Sequence, residues 1–350
     1  MMQAAVLEEL EMLVVKEVPK PVVGDTDILI AVKACSICGS DIRMFHHGNN
    51  RLTPPAIMGH ESAGQVVEVG SQVTRFKVGD RVSMGGDVPC GRCDELRCVS
   101  INNCKINPAM GYQYPGSFAE YVLVPELVWS TGPVAIVPDH VSYEEAALAE
   151  PLACIINGLE MCKIEFGDTL AIIGTGPLGC MLMEVGRLMG CTKVIAINRS
   201  RPRLEMAKEF GADVLICSGE EDMEEAVMKA TNGLGADVIL TACSAPEAQL
   251  QTLKIARNRA RINLFGGLPK GHSELTIDTN ILHYKELYLF GSHGASPKHH
   301  QMAVDLIASG TIDMKRYISH RFPLSQAPEA FQAAEDRDGR RVVIKPSDND

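Results

Sequence analysis

Apolar and polar residues alternate in the first part of the chain, whereas its middle part carries unbroken apolar runs. Alternating segments at 12–15 and 28–34, separated by a turn rich in proline and glycine, predict β-strands. From about residue 169 onwards, apolar strand-like runs alternate with helix-like segments. That alternation predicts a parallel sheet with helices on both faces. We therefore expect a β-rich part followed by an α/β part.

The α/β part is predicted to begin with an apolar strand at 169–173. This strand leads into Gly174-Thr175-Gly176-Pro177-Leu178-Gly179, and a helix is expected to follow through Gly190. A G-x-G-x-x-G loop between a strand and a helix predicts that the backbone and the helix N-terminus face a dinucleotide pyrophosphate. Further strands are predicted at 193–197, 211–216, 236–240 and 260–265, with helices at 220–231 and 247–258.

The second predicted strand ends at Asn198-Arg199-Ser200, where the choice between NAD and NADP is commonly made. A carboxylate at this point binds the ribose 2′-OH of NAD and would repel a 2′-phosphate. Here the neutral Asn198 replaces it, with Arg199, Ser200 and Arg201 alongside, and an arginine fork pairs well with phosphate. Arg203 is expected to lie along the adenine with either cofactor. The sequence therefore favours NADP(H) over NAD(H).

A second candidate site is centred on His60 and Glu61, which lie in Gly59-His60-Glu61-Ser62-Ala63-Gly64. Cys38 lies 22 residues before His60, and Glu150 follows further downstream. A thiolate, an imidazole and carboxylates suit a catalytic zinc, which keeps one coordination position open. The plain alternative is a structural or solvated His–Glu pair. Cys35, three residues before Cys38, is expected in the core.

Four further cysteines, Cys90, Cys93, Cys98 and Cys104, lie within 15 residues of one another. Four thiolates complete a tetrahedral site, so this cluster predicts a structural zinc lobe. A zinc-ribbon nucleic-acid module is the alternative of a different class.

Composition limits the possible functions. The chain has 350 residues, 46% of them apolar and 22% charged, which predicts a globular protein of two domains. Its formal net charge of −11 disfavours nucleic acid or an anionic membrane surface as the main partner. The start of the chain lacks the features of a secretory leader, and the 12 cysteines suit a reducing compartment. We expect a cytoplasmic protein.

Several motifs together resemble the zinc-dependent medium-chain alcohol and polyol dehydrogenases. They are C-G-S-D from Cys38, G-H-E-x2-G-x5-G-x2-V from Gly59, F-x-x-G-D-R-V from Phe76 and E-P-L from Glu150. The resemblance covers nearly the whole chain. It implies a GroES-like, β-rich catalytic domain at 1–152 with a zinc lobe at 88–106, a Rossmann doubly wound parallel-sheet domain at 153–290, and a return to the first domain at 291–350. It also implies a homo-oligomer, either a dimer or a tetramer.

The resemblance assigns roles to individual residues. Cys38 and His60 would hold the catalytic zinc. Glu150 would bind it directly or displace its water, and Glu61 would share that role. Ser40 would pass the proton of the substrate hydroxyl outward, and Asp41 would accept the second ring N–H of His60. The loops carrying Gly266, Leu268 and Ser292 would hold the nicotinamide through main-chain groups. Zinc would act as a Lewis acid on a secondary alcohol, whose hydride would pass to the nicotinamide.

The chain departs from the family pattern at two places. Arg43 stands where many polyol and threonine dehydrogenases have a histidine, so the proton relay is left to His46, to His47 or to the cofactor ribose. Arg43 itself either meets an anionic group of the substrate or is solvated. In the cysteine lobe, Leu96 stands where the third ligand is expected. The lobe therefore either closes through Cys98 or has lost its metal and serves subunit contacts.

The predicted activity is hydride transfer between a nicotinamide cofactor and a secondary alcohol, meaning a polyol, a sugar alcohol or its phosphate. A threonine or simple secondary-alcohol dehydrogenase is the alternative within the same family. Two rivals lie outside this activity: a zinc-free quinone reductase, which would lack both Cys38 and His60, and a non-catalytic NADP-binding regulator.

Overall fold

A computed structural model describes residues 1–91, 102, 104, 106–336 and 339–347 of the chain. The chain forms two compact units, one made of Met1–Cys154 with Gly294–Asp350 and the other of Ile155–His293. The second unit is thus an insertion within the sequence of the first. A membrane-spanning helix needs about 20 mainly apolar residues, and no helix in the described part of the chain meets that requirement.

The secondary-structure elements are numbered in chain order. The strands are β1 Met2–Glu9, β2 Met12–Val18, β3 Ile28–Ser36, β4 Ala56–Ile57, β5 Glu61–Val69, β6 Arg81–Met84, β7 Tyr121–Val124, β8 Val134–Ile136, β9 Thr169–Ile173, β10 Lys193–Asn198, β11 Val214–Cys217, β12 Ala236–Thr241, β13 Ala256–Leu264, β14 Tyr288–Gly291, β15 Ile318–Pro323 and β16 Arg341–Lys345. The helices are α1 Gly39–His47, α2 Glu126–Thr131, α3 Tyr143–Ala147, α4 Ala149–Met161, α5 Pro177–Leu188, α6 Arg201–Lys208, α7 Met223–Ala230, α8 Pro246–Ile255, α9 Thr279–Lys285, α10 Pro297–Ala308 and α11 Ala327–Asp336.

The first unit is built on two sheets. The larger has the order β15-β16-β3-β5-β6-β8, with β7 also paired to β3, and the smaller has the order β2-β1-β4. Strand β3 reads ILIAVKACS and is buried along nearly its whole length, because sheet neighbours and core side chains cover it. Cys35 on this strand is fully buried, so the expectation that it is a core residue is confirmed.

The register of three neighbouring strands places the candidate metal residues at one point. Strands β3 and β5 are antiparallel, and Ser36 at the end of β3 pairs with Glu61 at the start of β5. On the other side of β3, Val343 of β16 also pairs with Ser36. Segments from three distant parts of the sequence therefore meet where β3 ends.

The second unit contains the predicted parallel sheet, in the order β11-β10-β9-β12-β13-β14, with every neighbouring pair parallel. The central strands are apolar on both faces, as expected where helices cover both sides. Leu170, Ala171 and Ile172 of β9 have no exposed surface. The doubly wound α/β prediction is confirmed.

Two predicted element boundaries were wrong. The helix expected at 247–258 ends at Ile255, and strand β13 begins at Ala256, which pairs with Ala236 of β12. Pairing with the neighbouring strand outweighs the helical tendency of these residues. Ser142 with Glu145 three residues later also predicts a capped helix from Tyr143 to about Ala149, with Glu150 at its end. That helix ends at Ala147, and Glu150 lies instead in the first turn of α4. Pro151 suits that position, because a first-turn residue needs no N–H partner.

Candidate active site and metal centre

The end of β3 and the start of β5 bring together three side chains with metal-binding atoms. Cys38 lies at the N-cap of α1, and His60 and Glu61 lie where β5 begins. One ligand atom from each of the three lies within 4.8 Å of the others. Within the described part of the chain this is the one such group of His, Cys, Asp or Glu side chains.

Gly59 sets the backbone that presents His60. Its φ is +96°, a value that residues with a side chain rarely adopt. A Cβ atom at this position would also lie 2.9 Å from the Cys35 sulfur and 3.0 Å from the Phe118 ring. Both the turn and the packing beneath it therefore require glycine.

His60 lies between two polar side chains of α1. Its Nδ1 is 3.3 Å from Asp41 Oδ1, and its Nε2 is 3.4 Å from the Ser40 hydroxyl. Burial disfavours the charged imidazolium, but Asp41 and Cys38 outweigh burial and raise the pKa of His60. The surroundings of His60 therefore attract positive charge. Asp41 favours the tautomer with a proton on Nδ1, which leaves Nε2 as a ligand atom.

Asp41 is fixed by the start of the same helix. Its Oδ2 accepts the backbone N–H of Cys38 at 2.9 Å, and the residue has no exposed surface. This contact couples the conformation at Cys38 to the carboxylate that faces His60.

Glu61 forms a buried ion pair with Arg341 of β16, and both residues are less than 10% exposed. Glu61 Oε2 accepts from Arg341 Nη2, while Glu61 Oε1 has no hydrogen-bond partner. Sequence reasoning missed Arg341, because no local pattern links it to the G-H-E motif. The pair leaves one carboxylate oxygen available to a cation.

Glu150 is close to this group without belonging to it. Burial raises the pKa of Glu150 to about 7, and His60 lowers it while Glu61 and Asp87 raise it further. Cys154, one turn later on α4, donates its S–H to Glu150 Oε1 at 3.5 Å. The structure thus gives Glu150 an electrostatic link to the Cys38–His60–Glu61 group.

The donors of this group fit a zinc ion. Sulfur, imidazole nitrogen and carboxylate oxygen are the ligand types of catalytic zinc sites, which have three protein ligands and one open position. Glu61 Oε1 is a buried atom without a hydrogen-bond partner. Such atoms are costly to bury unless a charge or a donor compensates them.

Tyr112 is a second residue that sequence reasoning missed. Its ring centroid is 5.7 Å from that of His60. Burial raises the pKa of Tyr112, and a side-chain hydrogen bond with Ser40 acts in the opposite direction. Tyr112 therefore forms one wall of the site and contacts the expected proton-transfer residue.

The histidines considered for a proton relay lie elsewhere. His46 interacts with Glu11 through Nδ1 at 2.8 Å and with Glu335 through Nε2. Both ring nitrogens are therefore engaged by carboxylates and not by Ser40. His47 and Arg43 are exposed on α1.

Part of the predicted cysteine lobe falls outside the described residues, namely Cys93 and Cys98. Of the other two thiols, Cys104 has its pKa lowered to about 6, chiefly by hydrogen bonding with the Asn107 backbone and also by bonds with Cys90. Cys90 and Cys104 are thus neighbours, and a lowered thiol pKa favours the thiolate that binds metal.

In the second unit, each of the three glycines of the G-x-G-x-x-G loop has a different position and surroundings. Gly174 has a φ of +105°, and a Cβ atom there would lie 2.9 Å from the Ala242 backbone. A Cβ atom on Gly179 would lie 1.9 Å from the Gly174 carbonyl oxygen. Gly176 is the N-cap of α5, and Pro177 occupies the first turn with Leu178 behind it. The loop is therefore shaped as a phosphate-binding turn.

The residues after β10 are arranged around Asn198. Its Oδ1 accepts from the Thr175 N–H at 3.4 Å, and its Nδ2 donates to the Ser200 hydroxyl at 3.2 Å. Arg201 pairs with Glu220, whereas the exposed Arg199 has no ion-pair partner among the described residues. Arg199 is therefore the unpaired cation of this segment.

Arg203 approaches the phosphate loop from α6. A Cβ atom on Gly176 would lie 3.3 Å from Arg203 Nη1, and the Arg203 carbonyl accepts from the Thr175 hydroxyl. The structure thus brings Arg203 to the glycine loop.

The loops expected to hold the nicotinamide follow β13 and β14. The Gly266 N–H donates to the Thr241 carbonyl at 2.6 Å, and Gln249 donates to the Gly266 carbonyl. The Ser292 hydroxyl donates to Asn263 Oδ1 at 3.2 Å. Leu268 is half-buried, and His293, which was not assigned a role, is exposed.

Comparisons with known proteins agree with this arrangement. The alcohol dehydrogenase GroES-like domain matches residues 24–133, and the zinc-binding dehydrogenase model matches residues 177–309. D-arabitol-phosphate dehydrogenase of Enterococcus avium is 34% identical, over 93% of this chain and 91% of that protein. L-threonine 3-dehydrogenase of Bacillus licheniformis is also 34% identical, over 94% of each chain.

Among solved structures, a candidate zinc-binding dehydrogenase from Sinorhizobium meliloti 1021 bound to NADP has a TM-score of 0.91 and 32% identity over 99% of both chains. The GroES-like and Rossmann architecture expected from the resemblance is confirmed. The expected class of activity, oxidoreduction of an alcohol with zinc and a nicotinamide cofactor, is confirmed as well. The chain belongs to the zinc-dependent medium-chain dehydrogenases.

Proposed function

We propose that this enzyme oxidises a secondary alcohol of the polyol or polyol-phosphate class with NADP⁺, and that Cys38, His60 and Glu61 hold the zinc. The observation that carries the proposal is the meeting of these three ligand atoms within 4.8 Å. Zinc bound there would supply a Lewis acid for the substrate oxygen. Glu150, whose carboxyl interacts electrostatically with His60 and Glu61, would serve as a further carboxylate at the metal.

Residues of the chain would handle the proton and the orientation of the site. The Ser40 hydroxyl, 3.4 Å from His60 Nε2, would accept the substrate proton and pass it towards solvent. Asp41 would hold His60 in the ligating tautomer. Arg341 would balance the charge of Glu61 inside the protein.

The NADP preference rests on the segment after β10. Asn198 removes the carboxylate that would repel a 2′-phosphate, and Arg199 is available to bind it. The similarity to D-arabitol-phosphate dehydrogenase supports a phosphorylated polyol as substrate. L-threonine is the second candidate, because threonine dehydrogenases match the chain at the same identity.

The remaining assignments are proposals of the same kind. The first unit would carry the chemistry with its boundary near residue 152, and the second would bind the dinucleotide through Gly174, Gly176 and Gly179. The four-cysteine lobe would hold a structural zinc, as the lowered pKa of Cys104 supports. We place the enzyme in the cytoplasm as a homo-oligomer, because a chain with 12 cysteines suits a reducing compartment.

The test is a substrate screen on protein of measured zinc content. Formation of reduced cofactor is followed with polyols, polyol phosphates, L-threonine and simple alcohols, with NADP⁺ and NAD⁺ in parallel. Turnover of a polyol or its phosphate with NADP⁺ is expected. Turnover of threonine alone would support the second candidate, and absence of turnover from zinc-loaded protein would refute the proposed activity.

A further inference from the structure

A concavity of about 570 Å³ lies in the first unit, and one of its lining residues, Tyr112, contacts His60. Its polar lining comes from two cations and three neutral donors or acceptors, over a floor of apolar side chains. The residues used below are Lys16, Arg51, Thr53, Tyr112 and Gln113. None of its lining residues is acidic. The chain as a whole is acidic, so a concavity of this charge is a local exception.

Arg51 is held in place without a carboxylate partner among the described residues. Its Nη2 donates to the Asn107 carbonyl at 2.6 Å, and its guanidinium lies 4.9 Å from the centre of the Tyr112 ring. A guanidinium has five N–H donors, so most of them remain available. Lys16, by contrast, is paired with Glu8. Arg51 is therefore the preorganised anion-binding group of the concavity.

Tyr112 connects this concavity to the metal centre. The same ring contacts His60, at 5.7 Å between centroids, and Arg51. Ser40, the proposed proton acceptor, also acts on the pKa of Tyr112. The Tyr112 side chain thus lies between His60 of the metal centre and the Arg51 cation. Arg51 and His60 therefore contact the same aromatic ring.

We propose that Arg51 and the adjoining concavity bind the phosphate ester of a phosphorylated polyol substrate. Arginine suits this role because its planar fork can form two parallel hydrogen bonds to phosphate. Thr53 and Gln113 supply further polar groups at the rim. This inference rests on the proposed dehydrogenase function and narrows its substrate to phosphorylated polyols. It also assigns anion recognition to Arg51 rather than to the exposed Arg43.

The test compares a pentitol phosphate with its unphosphorylated parent in three variants of the full-length, zinc-loaded protein. Arg51→Gln should raise KM for the phosphate roughly 10- to 100-fold, the usual effect of losing a hydrogen bond to a charged group, and leave the parent pentitol unchanged. Arg51→Lys should recover part of the loss, because the charge remains. Arg43→Gln, the matched control on the neighbouring helix, should change neither substrate.

Inorganic phosphate separates substrate recognition from a free-anion site. It should compete with the phosphorylated substrate and leave turnover of the parent pentitol unaffected. Equal inhibition of both substrates, equal loss of both in Arg51→Gln, or a larger effect in Arg43→Gln would each overturn the assignment while leaving the dehydrogenase function intact.

A direct binding titration tests whether Arg51 binds the phosphate even if the protein shows no turnover. Calorimetric binding of the pentitol phosphate should be weakened in Arg51→Gln and retained in Arg43→Gln. If no alcohol is oxidised, the proposed function fails, but this titration still decides whether Arg51 binds the phosphate. Equal binding by both variants would reject the site.

Discussion

Glu61 and Arg341 lie 280 positions apart in the sequence, yet their side chains form a buried ion pair beside the candidate zinc ligands. A buried pair contributes little when compared with apolar replacements, but removal of one partner leaves an uncompensated charge. The pair therefore makes β16 a participant in the electrostatics of a site whose other members come from the first part of the chain.

In zinc-free protein, Arg341→Met should lower the free energy of unfolding by about 3–5 kcal/mol, because the Glu61 carboxylate would remain buried without its partner. The double variant Glu61→Gln/Arg341→Met should recover most of that loss. Urea unfolding can be followed by the fluorescence of Trp129, the one tryptophan, which is buried in the core of the first unit. Additive effects of the two substitutions would show that the residues do not interact.

Cys38→Ala should lose the catalytic zinc. Replacing outer partners of metal ligands typically costs 10- to 100-fold in metal affinity or activity, so removal of a ligand should cost at least about 100-fold in kcat/KM. The matched control is Cys35→Ala, three residues away on β3 and fully buried. Zinc measured by mass spectrometry should fall by one equivalent in the first variant and stay constant in the second. Full zinc content in Cys38→Ala would remove it from the ligand set.

Arg199→Ala should weaken NADP⁺ binding roughly 10- to 100-fold, because a charged hydrogen bond to the 2′-phosphate is lost, and leave NAD⁺ binding unchanged. Arg201→Ala should have a smaller effect, because Arg201 is already paired with Glu220. Quenching of protein fluorescence by each cofactor gives the dissociation constants. Tighter binding of NAD⁺ than of NADP⁺ by the unmodified protein would contradict the cofactor assignment.

The stability of the first unit should fall in mild acid because of His300. The Ser83 hydroxyl donates to the Ala146 carbonyl at 2.7 Å, so it accepts from His300 Nε2–H at 3.1 Å. The Nδ1 atom of His300 is buried without a hydrogen-bond partner, and burial lowers the pKa of His300 to about 4. The neutral form is therefore the one that the fold accommodates.

An unfolded histidine has a pKa of about 6.5, so the unfolded chain binds this proton first. The contribution of His300 is complete above pH 6.5 and is lost as the pH falls towards 4, by up to about 3 kcal/mol. Urea unfolding between pH 7 and pH 4.5 should show a shallower decline in His300→Leu than in the unmodified protein. The control His47→Gln, at an exposed histidine of the first unit, should keep the original slope. An unchanged slope in His300→Leu would contradict the explanation.

Sequence patterns predicted the parts of this protein that local chemistry determines. The G-H-E turn requires glycine at position 59 by its backbone angle, and the G-x-G-x-x-G loop requires close packing at Gly179, so both have a signature in a few consecutive residues. The proximity of Cys38 to His60 follows from one antiparallel pairing of β3 with β5. Their role as ligands stays a prediction until zinc is measured.

Contacts between distant segments were not predictable in the same way. Arg341 contacts Glu61 and Tyr112 contacts His60 through tertiary packing. Neither Arg341 nor Tyr112 belongs to a recognisable motif. Glu150 was predicted at the end of a helix but lies at the start of the next one. The sequence does not indicate that one helix ends at Ala147 and another begins at Ala149. His46 was a plausible relay until its two carboxylate partners, Glu11 and Glu335, were located.

The position of β16 has a consequence for the order of folding during synthesis. This strand lies inside the large sheet, between β15 and β3, and not at its edge. A ribosome completes the whole second unit before it makes residues 341–345. The second unit can therefore fold while β3 has its neighbours β5 and β7 but not yet β16. The first unit, with its candidate metal centre, cannot complete its large sheet until residues 341–345 have been made. Newly made chains are therefore expected to gain dinucleotide binding before catalytic competence.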